Sequence, residues 1–298
     1  MKTALIAAAA LSLAALADDP EQAQLYLAQA IESIDQGEYL EALQLLNSAA
    51  EADPMDPDCF YTRGMVFSTL GYFQEAVSDF TRSIYLSQGA LELYKERAYA
   101  YFQMGYHMDA IDDFNRALEI DPDHFESIFN RSLCYIARED YEAALADLER
   151  ALDLDPEYAP AYFYRGMCRG FMDDYTGAVE DMSVAIELEP ENSEYYWHRA
   201  LGWEYLEEND KALEDYDSML ELDPENSDAR FFKGKLLRLT GRPEEAVECY
   251  DHLLEADSSS VRAWFYRSRA LEDLGLMEEA EASMQRAMSL DPSFNPPD

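Results

Sequence analysis

Residues 125–158 read FESIFNRSLCYIAREDYEAALADLERALDLDPEY, and residues 159–192 read APAYFYRGMCRGFMDDYTGAVEDMSVAIELEPEN. Set one above the other, they align Arg131 with Arg165, Ala144 with Ala178, Asp147 with Asp181 and Pro156 with Pro190, always at an offset of 34 residues. A fixed period of this length marks a repeated unit that buries its apolar face only by stacking on copies of itself. The proline extends the ruler in both directions. Pro54, Pro122, Pro156, Pro190, Pro224 and Pro292 lie at multiples of 34 from one another, and Gln88 and Ser258 occupy the two remaining rungs. Eight units follow without an insertion: 23–56, 57–90, 91–124, 125–158, 159–192, 193–226, 227–260 and 261–294.

The other columns fall into register. Position 20 is Ala in every unit: Ala42, Ala76, Ala110, Ala144, Ala178, Ala212, Ala246 and Ala280. Position 8 is always small: Ala30, Gly64, Ala98, Ser132, Gly166, Ala200, Gly234 and Ser268. Position 24 is always large: Leu46, Phe80, Phe114, Leu148, Met182, Tyr216, Tyr250 and Met284. Position 4 is large and apolar or aromatic, with Arg230 the exception. Each unit holds two amphipathic stretches broken near position 15, as at Met104-Gly105 and Leu274-Gly275. Small residues at 8 and 20 let two helices cross closely, and large ones around them fill the space. The proline at 32 ends the second helix, because the residue before a proline is driven out of helical conformation.

This pattern resembles the tetratricopeptide repeat family, and the resemblance covers residues 23–294. It implies an all-α fold, a right-handed α-solenoid of antiparallel helix pairs. It also implies that the first helices line a concave face, with positions 2, 5, 9, 12 and 13 turned into it. Position 21 is aliphatic from Leu43 to Val247 and becomes Glu281 in the last unit, which suits a solvated end.

One column departs from the family pattern. Position 7, Leu in the family, is basic in seven units: Arg63, Arg97, Arg131, Arg165, Arg199, Lys233 and Arg267. Position 23 is acidic in five: Asp79, Asp113, Asp147, Asp181 and Asp215. A buried charge demands a partner, so the two columns are expected to face each other, within a repeat or between repeats.

Position 5 carries Tyr61, Phe129, Phe163, Trp197, Phe231 and Phe265, with Leu27 and Lys95 in the other two units. Neighbouring groove columns add Tyr99, Phe102, Phe171 and Tyr205. Two readings stand for these rings. They pack between repeats, or they are offered to a partner beside the acids of position 2, such as Glu126 and Glu194. The core columns are already aromatic, so a second aromatic column reads as surplus to packing, suited to a basic-hydrophobic peptide.

The chain carries a formal net charge of −40 over 298 residues. Such a field repels phosphate backbones and anionic membranes and argues against nucleic acid as a partner. The charge is uneven: units one to six carry −33 and units seven and eight −4. Lys235, Arg238, Arg262 and Arg269 stand in groove columns of the last two units. They form a candidate contact for a carboxylate or an acidic tail, or they balance neighbouring acids.

At the N-terminus, Lys2 precedes the apolar run Thr3 to Ala14, and Ala15-Leu16-Ala17 precedes the polar Asp18-Asp19-Pro20. That order reads as a secretory signal over 1–17, cut after Ala17, followed by a lead over 18–22. The expectation is a periplasmic or secreted protein, and residues 295–298 form a short tail. No other stretch is long and apolar enough to span a bilayer.

Nothing in the chain points to catalysis, a metal or a cofactor. Cys59, Cys134, Cys168 and Cys249 have no CxxC spacing and are expected as free, buried thiols. His107, His124, His198 and His252 fall in different columns, and His198 adjoins Trp197. No phosphate loop or nucleophile elbow occurs. The expected function is a non-catalytic scaffold that binds a peptide or partner protein in an aromatic and acidic groove. The alternatives are a module for carbohydrate or envelope polymer, and a non-catalytic subunit of an exported enzyme complex.

Overall fold

The computed structural model describes residues 19–293; the expected signal segment and the short tail lie outside the described residues. Among the described residues there are sixteen α-helices and no strand. The chain divides into two compact units, Met1–Asp155 and Pro156–Asp298. The first holds α1 (Pro20–Asp35), α2 (Tyr39–Ala52), α3 (Pro57–Thr69), α4 (Phe73–Ser87), α5 (Leu91–Gln103), α6 (His107–Ile120), α7 (Phe125–Ala137) and α8 (Tyr141–Leu154). The second holds α9 (Ala159–Phe171), α10 (Tyr175–Leu188), α11 (Ser193–Tyr205), α12 (Asn209–Leu222), α13 (Ser227–Leu239), α14 (Pro243–Ala256), α15 (Val261–Asp273) and α16 (Met277–Leu290). Within each unit a helix packs chiefly on its chain neighbours, as expected of stacked helix pairs. Asp19 caps α1 by accepting a bond from the Gln22 amide, so the helix begins at Pro20, inside the expected lead.

The boundaries follow from local chemistry. Second helices end one residue before an extended acidic residue, such as Asp53, Asp121, Asp155 or Asp223, which precedes the column-32 proline. Where Gln88 replaces that proline, α4 runs on to Ser87 and closes on a left-handed Gln88. First helices close at position 15 in the left-handed region, which glycine enters without cost. Gly37, Gly71, Gly105, Gly241 and Gly275 do so, but Glu139, Asp173 and Glu207 adopt the same conformation with φ of 60–63°.

The column-20 alanines are buried. Opposite them, position 8 trades size with position 24: a Cβ on Gly64 would come within 2.7 Å of the Phe80 ring. The bulk removed from one helix is supplied by the other.

The charged columns meet inside each of repeats two to six. Arg63 binds Asp79, Arg97 binds Asp113 and Arg131 binds Asp147, each through two bonds of 2.6–2.8 Å. In the second unit Arg165 reaches Asp181 and Arg199 reaches Asp215 in the same way. The third arm turns to position 25 of the preceding repeat: Arg63 to Asn47, Arg97 to Thr81, Arg131 to Asn115 and Arg199 to Ser183. Burial outweighs the guanidinium at Asp113 and Asp215 and holds both carboxyls above their usual range, while the Arg bonds pull them down.

The last two repeats exchange the roles of these columns. Position 23 is there Cys249 and Ser283, and the acid moves to position 25 of the preceding repeat. Lys233 accordingly pairs with Asp217. Arg267 binds Asp251 at 2.5 Å and Ser283 at 2.7 Å. Each of these cations thus keeps a carboxylate, drawn from its own repeat or from the one before.

Arg230, the exception at position 4, has a comparable explanation. Tyr162 and Tyr196 donate from their hydroxyls to the carbonyls of Pro156 and Pro190, and Trp264 donates its indole N–H to Ser258. Arg230 donates its guanidinium to Pro224 in the same relation. In these four repeats position 4 therefore ties a first helix to the connection before it, through a phenol, an indole or a guanidinium.

Candidate functional site

The rings expected in the groove separate by burial into three sets. Phe129, Phe163, Phe231 and Phe265 are buried at 4–8% exposure. Column 5 is therefore not surplus to packing at these positions. Phe163 lies 5.2 Å from Tyr195 of the next first helix, and Phe231 lies 4.9 Å from Tyr266 of the next. The rings fill the space between successive first helices, where a single unit has no other bulk to offer. Tyr61, Phe102 and Trp197 are half-buried; Trp197 meets Phe232 edge to face at 4.8 Å. The exposed members are Tyr99 at 43%, Phe171 at 59% and Tyr205 at 67%.

Phe171 and Tyr205 come together at a cleft of about 500 Å³ between α9 and α11. Phe171 ends α9 and Tyr205 ends α11, so both stand at the turn edge of their repeats. Tyr175, from the first turn of α10, stacks on Tyr205 with ring centres 4.3 Å apart and planes within 5°. The Tyr175 hydroxyl donates to Asp173 at 2.8 Å, which fixes the ring and raises its pKa. Met167, Ala178, Met182 and Leu201 supply apolar lining, and Gly170 and Gly202 withhold side chains from it.

His198 also lines this cleft and meets Phe163 edge to face at 5.1 Å. Among the described residues its ring nitrogens have no hydrogen-bond partner. Burial lowers its pKa, against the upward pull of Glu194, so the imidazole is neutral at physiological pH. The result is an apolar recess with aromatic walls, one uncommitted neutral imidazole and a carboxylate at Asp173.

Sequence models described as tetratricopeptide repeat match residues 57–89, 91–124, 206–265 and 240–293, and one described as TPR repeat matches 133–167. The chain is a tandem tetratricopeptide-repeat protein. A tetratricopeptide repeat protein from Parabacteroides merdae is similar in structure, with a TM-score of 0.62 at 18% identity, over 90% of this chain and 99% of that one. MamA from Desulfovibrio magneticus gives 0.56 at 23% identity, over 58% of this chain and 97% of that one. YrrB, described as a TPR protein with an unusual peptide-binding site, gives 0.53 at 23% identity, over 61% of this chain and 93% of that one. At these identities the likeness is one of fold. No curated protein matches the chain in sequence.

The basic residues of the last two tetratricopeptide repeats are mostly committed within the chain. Arg238 pairs with Asp273 at 2.9 Å and Arg269 with Glu272 at 2.6 Å. Arg262 lies over the Phe231 ring at 3.4 Å. Lys235 joins no ion pair among the described residues. Two of the four thus balance neighbouring acids and a third is spent on a ring face.

The four cysteines are free and buried. Burial pushes the thiols of Cys59, Cys134 and Cys168 up to about 12, which removes the thiolate that thiol chemistry needs. Among the described residues no three metal-binding side chains come together, and no helix is long and apolar enough to cross a membrane.

Reading by first-helix columns misses Tyr175, which reaches the cleft from a second helix. It also misses Gly170 and Gly202, whose contribution is the side chain they lack. The available signal was Gly170 itself: at position 12 every other repeat carries a side chain, from Ile34 and Phe102 to Glu204 and Glu272.

Proposed function

We propose that this tetratricopeptide-repeat protein is a non-catalytic scaffold that binds a peptide or partner protein on the face of its first helices. The observation that carries the reading is the recess edged by Phe171 and Tyr205, two large rings left exposed where the core is already filled. Repeat architecture supports it, because the stacked units bury their core and leave Tyr99, Phe171 and Tyr205 exposed on their first helices. The likeness to YrrB, whose description names a peptide-binding site, supports it at the level of fold. A net charge of −40 favours a partner segment that is basic as well as hydrophobic. The order of charge, apolar run and small residues over 1–17 supports export to a periplasm or the exterior.

Phe163 is unsuitable for testing this, since a charge there would enter the core. The test is a pull-down with the purified protein beside a Phe171→Glu/Tyr205→Glu variant of unchanged helicity, with captured chains identified by mass spectrometry. A protein retained by the wild type and lost by the variant supports the reading. Capture of a catalytic chain would make the scaffold a subunit of an enzyme complex. Retention of a polysaccharide in place of any protein would overturn the reading in favour of polymer binding.

A further inference from the structure

Gly170 is a glycine without a packing reason. It lies inside α9, and a Cβ built on it would meet nothing nearer than the Ala178 Cβ at 3.9 Å, an ordinary contact. Its backbone is not left-handed either. Alanine would fit there and stabilise the helix. Gly202 differs, since its Cβ would strike Val179 at 2.6 Å. What the glycine at 170 does is keep the cleft open, at a cost in stability.

We propose that this cleft seats one aromatic side chain of a partner segment, a tyrosine or tryptophan, flanked by lysine or arginine. The assignment rests on the scaffold reading and adds its anchor. The volume of about 500 Å³ suits one such ring with part of its backbone. The lining is apolar apart from His198 and Asp173, so most of a polar or charged anchor would lose its water without replacement. His198 distinguishes an amphipathic ring from a purely apolar one. Its neutral imidazole has no hydrogen-bond partner among the described residues and offers a ring nitrogen to a phenol O–H or an indole N–H.

Charge complementarity supplies the flanks. Asp173 lines the cleft, and Glu207 follows Tyr205 by two residues. Both occupy the left-handed turn position that glycine fills in five other repeats, so each sets a carboxylate at the turn edge beside the exposed rings. Basic residues on either side of the anchor meet these acids in a field already strongly negative.

The test uses protein labelled with ¹⁵N-glycine, whose twelve glycines give a readable spectrum. Three soluble dodecapeptides with Gly/Ser ends are titrated in, with centres Lys-Trp-Lys, Lys-Ser-Lys and Glu-Trp-Glu. Lys-Trp-Lys is expected to move the Gly170 and Gly202 signals, with a Kd at least about tenfold below the other two. Gly170→Leu, which fills the cleft, is expected to abolish the response with an unchanged or raised melting temperature. Tyr205→Ala, at an exposed ring, weakens it without loss of fold and serves should the leucine variant misfold. Equal binding by Lys-Ser-Lys, no binding by any peptide, or tighter binding of chitotetraose overturns the assignment. Binding that survives Gly170→Leu and moves glycines outside the cleft also overturns it, yet leaves the scaffold reading standing. Capture of no protein at all by the wild type in the pull-down removes the scaffold reading itself.

Discussion

Arg131 grips Asp147, sixteen residues further on, through two parallel bonds: Nε to Oδ2 at 2.7 Å and Nη2 to Oδ1 at 2.6 Å. Its remaining arm donates to Asn115 of the preceding repeat at 2.5 Å. One side chain thereby joins both helices of its own repeat and the helix pair before it. The family pattern places an aliphatic side chain here, which would contribute contact area but no direction. A bidentate pair specifies orientation as well as distance.

Removing one member of such a pair strands the other. Asp147 is buried at 5% exposure, and without Arg131 its carboxylate has no cation to replace the water it lost. Arg131→Ala is expected to cost about 3–5 kcal/mol in urea unfolding. A loss below about 1 kcal/mol, the size of a surface pair, would sink the account.

The exchange of columns gives a sharper comparison. Asp215 and Asp217 each hold the base of a neighbouring position 7, but their side chains are 3% and 52% exposed. Burial, and not the presence of an ion pair, should set the cost. Asp215→Asn is expected to lose about 3–5 kcal/mol, because it leaves Arg199 with the neutral Ser183. Asp217→Asn is expected to lose about 0–1 kcal/mol, since water screens that site. Equal losses in paired urea titrations would contradict this.

Much of the architecture was legible because the constraints repeat. Ala144 and Gly166 are small for a steric reason that recurs in every unit, so eight copies reinforce one reading. Arg131 and Asp147 could be paired on paper because they travel together. Lys233 could not, because its acid had moved from column 23 to column 25 of the preceding repeat, which no count within one column reveals. Phe163 was ambiguous for a geometric reason. Column 5 borders both the groove and the next first helix, and only the neighbouring Tyr195 decides which side the ring serves. The recess was least legible, since it combines missing side chains at Gly170 and Gly202 with a ring from another helix.

Glu139 occupies the left-handed turn position with φ of 60°. A Cβ there crowds the following carbonyl, which glycine avoids, so Glu139→Gly is expected to stabilise the protein by up to about 1 kcal/mol. The added freedom of glycine in the unfolded chain offsets part of that gain. A rise in melting temperature checks it. A fall would show that the Glu139 side chain contributes more than its backbone costs.

His198 gives the pH dependence. Desolvation in the cleft holds its folded pKa below the ordinary 6.5, with Glu194 opposing, so the unfolded chain takes up the proton first. Between 6.5 and the lowered folded value the unfolded state binds more protons, and stability falls as pH falls through that window. Below the folded value both states are protonated and the loss levels off. Carboxylates add their own slope at lower pH, which is why the comparison must be with a variant. Urea titrations of wild type and His198→Gln at about pH 7.5 and 5.5 bracket the ordinary imidazole value. The wild type is expected to lose more stability between the two, by at most about 1.4 kcal/mol per unit of pH. Equal losses would mean that the cleft leaves His198 solvated, and its imidazole would then be paired with water and not reserved for an incoming phenol or indole.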